Sequence, residues 1–122
     1  MPIVDIEIVS DGAVELAETP ARALADCLGA TLGTPPGHTW VRLHYLSRTC
    51  YAENQSAVPN EQLPVFVAVQ HAHPPSGDAL AAQAKAITAA VAQCLACAPE
   101  RVHVLYAPPG AGRQAFGGEW VR

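Results

Sequence analysis

The sequence predicts an α/β fold made from a tandem β-α-β repeat: a four-stranded mixed sheet with two helices on one face. A stretch of strand-like alternation, a longer stretch of helical spacing and a second strand-like stretch follow one another twice. Polar "NQSAVPNEQ" separates the two series. The turns leading into the last strand of each, "GTPPGHTWV" and "ACAPERVHV", echo one another. At 122 residues the chain reads as a single domain, 1–122, of two β-α-β units at about 1–55 and 62–122.

In "PIVDIEIV", Val4, Ile6 and Ile8 alternate with Ile3, Asp5, Glu7 and Val9, so one face of this strand is wholly apolar. "SDGAVELAETPARALADCLGATLG" then changes to helical spacing, with Leu24, Cys27, Leu28, Thr31 and Leu32 on one stripe. Thr19-Pro20 resembles an N-cap with a first-turn proline, so the regular helix starts there or an earlier turn kinks there, and Gly33 ends it. "TWVRLHYL" is a second strand on which Arg42 and His44 share a face.

In the second unit, "LPVFVAV" is a strand opened by Pro64, the counterpart of Pro2. The helix "SGDALAAQAKAITAAVAQCLACA" carries Leu80, Ala84, Ile87, Val91 and Leu95 on one face, and "ERVHVLYA" is the last strand. A β-α-β crossover makes its two strands parallel and lays its helix on one side, so two such units leave the other sheet face open. That face carries too many apolar residues for water, and it is expected to be covered by other subunits.

Only seven Lys and Arg and a net charge of −4 argue against a nucleic-acid surface. No apolar run reaches the roughly 20 residues of a membrane helix, and "MPIVDIEIV" is not a signal peptide. A cytoplasmic protein with reduced Cys27, Cys50, Cys94 and Cys97 is the expectation. "CLAC" has redox spacing but no preceding strand-to-helix turn, so Cys94 and Cys97 read as small core residues one helical turn apart. Pro2 is open to two readings. Proline commonly begins a strand, but loss of Met1 would also make it a secondary amine, a base that no internal residue supplies.

With Pro2 at the head of a doubled β-α-β chain, the sequence resembles the tautomerase superfamily over nearly its whole length. "GTPPGHTWVRLHYL" and "APERVHVLYA" resemble passages of macrophage migration inhibitory factor, while "PIVDIEIV" and "FGGE" resemble 4-oxalocrotonate tautomerase. The resemblance implies a homotrimer with cofactor-free sites at subunit boundaries, each around one Pro2. It also implies that Arg42, in "WVRL", holds a substrate carboxylate. An α-amine has a reference pKa of about 8. An apolar pocket and a nearby arginine both lower it, which frees the amine to act as a base. Pro64, locked in an amide, has no such basicity.

Other candidates are weaker. Tyr51 and Glu53 in "CYAEN" stand as a site wall or second proton-transfer group, against a plain solvated loop. His71 and His73 in "QHAHPP" lie where dehalogenating and decarboxylating relatives carry an arginine pair; they are pH-dependent substitutes for it, and with no third ligand evident no metal site is expected. Arg113 in "GAGRQAF" is a second carboxylate-binding candidate, Phe116 and Trp120 are pocket walls or packing residues, and His103 stands near the place in the second repeat that corresponds to Arg42.

The arginine that 4-oxalocrotonate tautomerase carries after its first strand is missing from "VSDGA", which favours a monocarboxylate over a dicarboxylate gripped at both ends. The reading is a keto-enol tautomerase with Pro2 as general base on a small enol or unsaturated 2-oxo carboxylate. The alternatives are a hydratase, decarboxylase or dehalogenase-like lyase in which Pro2 acts covalently or otherwise, and a non-enzymatic trimeric interaction protein.

Overall fold

A computed structural model describes residues 1–11 and 19–122. The elements run β1 (Ile3–Ser10), α1 (Thr19–Leu32), β2 (Trp40–Ser47), β3 (Val65–Gln70), α2 (Gly77–Leu95), β4 (Val102–Tyr106), β5 (Ala115–Phe116) and β6 (Glu119–Trp120). The first four strands form one sheet in the order β2-β1-β3-β4, and β5 and β6 form a small hairpin. β2 is parallel to β1 and β4 to β3, as two β-α-β crossovers require, while β1 and β3 pair antiparallel in the centre. Residues 12–18, part of the stretch read as helical from the sequence, lie outside the described residues.

As far as Glu7 the alternation of β1 sorts its side chains as the sequence suggests; beyond it Val9 is buried and Ile8 only partly so. Val4 and Ile6 lie opposite Val69 and Val67 of β3 and are fully buried with them. Leu24 and Leu28 of α1 and Ile87 and Val91 of α2 complete this core, so both helices cover one sheet face. Pro20 lies in the first turn of α1, where its missing N–H costs no hydrogen bond. α1 ends at Gly33, φ +67°, and the Thr34 N–H donates to the Gly29 carbonyl at 3.0 Å. α2 ends in the same way: Ala96 takes φ +52°, and the Cys97 N–H donates to the Ala92 carbonyl at 3.0 Å. Cys97 therefore lies just beyond α2 and not within it. Cys94 and Cys97 are free thiols packed against the core, and the packing role read from the sequence stands.

The helix ends show how the two halves correspond. Leu24, Leu28, Leu32 and Gly33 match Ile87, Val91, Leu95 and Ala96 in place and role. The same correspondence carries Pro2 onto Val65 and Met1 onto Pro64, so Pro64 is not the counterpart of Pro2. It lies one residue out of step, and in a strand one residue is the other face.

The opposite face carries Ile3, Asp5, Glu7, Arg42, His44, Phe66, Ala68, His103 and Leu105; among the described residues no helix lies over it, and the β5–β6 hairpin meets its Trp40 and Gln70 end. Leu105 is 54% and Trp40 45% exposed. The linker between the halves is tied down by Arg48, which donates to the Val58 carbonyl at 2.6 Å and to Asn60.

Two substitutions probe this framework. Leu28→Ala empties a fully buried site and is expected to cost about 3 kcal/mol in urea denaturation. Ala96→Gly relieves a left-handed backbone and is expected to add about 0.5–1 kcal/mol, read as a higher urea midpoint at unchanged slope.

Candidate active site

Pro2 is buried beside the first residue of β1. It has no N–H, so its ladder bond is one-sided: its carbonyl accepts from the Trp40 N–H at 3.1 Å. With Met1 attached its nitrogen is an amide; with Met1 gone it is a secondary amine at the end of the sheet. The Trp40 ring meets Phe116 edge to face, with centroids 5.2 Å apart, so the C-terminal hairpin closes over the β2 side of this sheet end. The hairpin is anchored on the other side by Gln114, whose Nε2 donates to Gln70 Oε1 at 3.0 Å. Gln70 in turn donates to the Pro108 carbonyl at 3.1 Å. A β-carbon on Gly110 would stand 2.0 Å from Gln114 Oε1, so any larger residue there would displace the Gln114 side chain from this place.

The β1–β3 register pairs Ile3 with Gln70, and continuing it by one pair sets Pro2 opposite His71. Both positions fall on the helix side of the sheet. His71 Nε2 lies 2.8 Å from Gln83 Oε1 of α2, and the Tyr106 hydroxyl of β4 donates to the same oxygen at 2.8 Å. The His71 and Tyr106 rings stack, 6.2 Å apart and 20° from parallel. Burial holds the Tyr106 phenol above its ordinary pKa, so it remains a donor. Next to this sheet end, a cavity of about 360 Å³ lies between the end of α1 and the following turn, lined by Asp26, Gly29, Thr34 and Thr39 among others.

The remaining sequence candidates are not gathered at Pro2 within one chain. Arg42 stands opposite Asp5 on the open face, three residues along β1 from Pro2. At about 3.3 Å of rise per residue that is roughly 10 Å, and it lies on the other side of the sheet. The Arg42 guanidinium is engaged by Asp5 through both arms, Nε to Oδ1 at 2.5 Å and a terminal nitrogen to Oδ2 at 2.8 Å. Arg42 is thus held in an ion pair with Asp5, and within one chain it does not stand beside Pro2. Period-two alternation separates them.

Tyr51 and Glu53 hydrogen-bond to each other at 2.6 Å, which raises the Tyr51 pKa. The Tyr51 ring packs near Phe66, which lies opposite Glu7, again away from Pro2. His73 and Arg113 are exposed. Trp120 is 56% exposed, and His103 packs near Phe66 on the open face. No group of three or more His, Cys, Asp or Glu with metal-site geometry occurs among the described residues.

The sequence reading passed over Trp40, Gln70, Gln83, Tyr106 and Gln114. Two carried a usable signal. Gln83 interrupts an otherwise apolar stripe between Leu80 and Ile87, and Tyr106 continues the core-facing alternation of Val102 and Val104.

No family model matches the chain, and no curated protein does. Solved structures do. A fused 4-OT forming a symmetric trimer superimposes with a TM-score of 0.73 at 17% identity, over 98% of this chain and 94% of that one. A protein solved after inactivation by 2-oxo-3-pentynoate gives 0.73 at 16% identity, over 98% and 95%. A macrophage migration inhibitory factor-like protein from Entamoeba histolytica gives 0.68 at 10% identity, over 94% of both chains. The resemblance read from the sequence holds in three dimensions, and the chain has the fold of the tautomerase superfamily.

Proposed function

We propose that this protein, once Met1 is removed, is a keto-enol tautomerase that uses the Pro2 amine as general base on a small enol or unsaturated 2-oxo carboxylate. The observation that carries the reading is the buried place of Pro2 at the end of the sheet, in a fold shared with tautomerase-superfamily proteins. An apolar surrounding disfavours the ammonium form of an amine, which favours its action as a base. Proton removal next to a carbonyl and redelivery elsewhere on the conjugated system need no more than a base, a proton donor and a charge partner.

The charge partner is Arg42, whose planar fork takes a carboxylate bidentately. Within one chain it is distant from Pro2, so the working unit is a homotrimer in which a neighbouring chain covers the open face and brings its Arg42 to this Pro2. Trimer formation by a similar structure supports this arrangement. Inactivation of another by 2-oxo-3-pentynoate supports a second reading, in which Pro2 adds covalently and the enzyme is a hydratase or related lyase.

The test is ultraviolet-monitored ketonisation of 2-hydroxymuconate and phenylenolpyruvate by protein whose mass confirms loss of Met1. Pro2→Ala is expected to lower kcat/KM at least 100-fold, and protein retaining Met1 to be equally inert. Activity is expected to fall with acidity as the amine takes a proton, with a midpoint below about 8. Wild-type protein no faster than Pro2→Ala would sink the tautomerase reading. Imine trapping by borohydride with an aldehyde substrate would then select the covalent alternative. Arg42→Ala is expected to weaken kcat/KM by roughly 10–100-fold, the worth of a charge-assisted pair. Asp5→Asn, which frees the fork, is expected to lower KM for a carboxylate substrate.

A further inference from the structure

His71, Gln83 and Tyr106 form a polar cluster at one end of an otherwise apolar layer, and their place in the repeat says that this is not a property of the fold. The correspondence that matches Leu24, Leu28 and Gly33 with Ile87, Val91 and Ala96 also matches Ile8, Pro20 and Leu43 with His71, Gln83 and Tyr106. In the first half all three are apolar, and Ile8 and Leu43 pack against the core. The same structural place is therefore filled without hydrogen bonds at one end of the sheet and with them at the other. The polar version occurs where Pro2 stands across the β1–β3 register from His71.

The cluster also fixes the imidazole. Gln83 Oε1 can only accept, and the Tyr106 hydroxyl already donates to it. At 2.8 Å from this oxygen, His71 Nε2 must carry a hydrogen. The neutral ring then has its lone pair on Nδ1, and protonation of Nδ1 makes it an acid. The backbone is held as well, since the His71 carbonyl accepts from the Gly110 N–H at 2.8 Å.

We infer that His71 is the second proton-transfer group of this site, opposite Pro2, with Gln83 and Tyr106 as its positioning residues. This rests on Pro2 being the base. Pro2 nitrogen takes a proton from the substrate, and the Nδ1–H of the His71 imidazolium gives one to the other end of the conjugated system. The proton on Pro2 then passes to His71 Nδ1, and both groups are restored with no net gain or loss. This assignment replaces the role of His71 as a substitute for a carboxylate-binding arginine. Among the described residues in contact with His71, Tyr106 of β4 is titratable and Gln83 of α2 is not; Pro2 is the facing group on β1.

The test uses processed protein active in the ketonisation assay. His71→Asn is expected to lower kcat about 100-fold, with KM changed less than about threefold, and to abolish the high-pH limb of the kcat/KM profile. That limb arises because His71 must be protonated to give its proton. Gln83→Glu keeps His71 and sets a carboxylate against Nε2–H, which favours the imidazolium. The limb is expected to move to higher pH by about one unit or more. A purely structural cluster would not move it. Tyr106→Phe is expected to reduce kcat with little change in KM. Circular dichroism excludes misfolding of His71→Asn, and Gln83→Glu carries the test if that variant does not fold.

His71→Asn at a kcat within about threefold of wild type, or Gln83→Glu with an unmoved limb, overturns the inference while Pro2→Ala inactivity leaves the base standing. Wild-type protein no faster than Pro2→Ala overturns both.

Discussion

The antiparallel register of β1 on β3 is the constraint on which the rest of the molecule depends. It joins two parallel strand pairs into one sheet and sets Val4 against Val69 and Ile6 against Val67 in the core. It also decides which residues meet at the sheet ends. Continued one pair beyond Ile3 and Gln70 it sets Pro2 opposite His71 at one end, while at the other the Val9 N–H reaches the Pro64 carbonyl at 3.1 Å. A slip of one residue would turn every core valine to the open face, so burial of that row specifies the chemistry of the ends as well.

The repeat gives a scaffold that is nearly two-fold in its backbone and not in its side chains. Both helices are closed by a left-handed residue and the same amide-to-carbonyl bond, yet one uses Gly33 and the other Ala96. Glycine enters this conformation freely and alanine does not, so the second closure is held by its surroundings. The same licence to differ, exercised at Ile8 against His71 and Leu43 against Tyr106, lets one end of the sheet become polar while the core is kept.

What was legible in the sequence follows the range of the interaction. The alternation of β1 and the stripes of α1 and α2 are local, and they placed β1 to β4, both helices and most of the core; Val9 and Ala92 are buried outside those patterns, and the β5–β6 hairpin was not foreseen. That Arg42 and His44 share a face is also local. That Asp5 is the residue engaging Arg42 needs the register of two strands far apart in the chain. Gln83 stands among alanines and gains its meaning only when α2 docks beside His71 and Tyr106. Pro64 misled for the same reason: composition makes it the twin of Pro2, whereas the packing of the two halves aligns it with Met1.

A single chain holds half of the proposed machinery, and the geometry of the other half explains its form. β1 is the strand with Asp5 and Glu7 on the open face, and a covering subunit would remove water from them. A bare carboxylate there opposes assembly; one already joined bidentately to Arg42 does not carry the same cost. Asp5 thus makes the open face compatible with burial, and it also occupies the fork that a substrate carboxylate would take. On the proposed reading an incoming acid would bind by competing with an internal one, and Arg42 would favour a substrate that brings its own negative charge and the planar geometry to match. An apolar enol would offer nothing in exchange for the Asp5 pair, so the ion pair itself would be a source of selectivity in the proposed reaction, acting before any pocket contact is made.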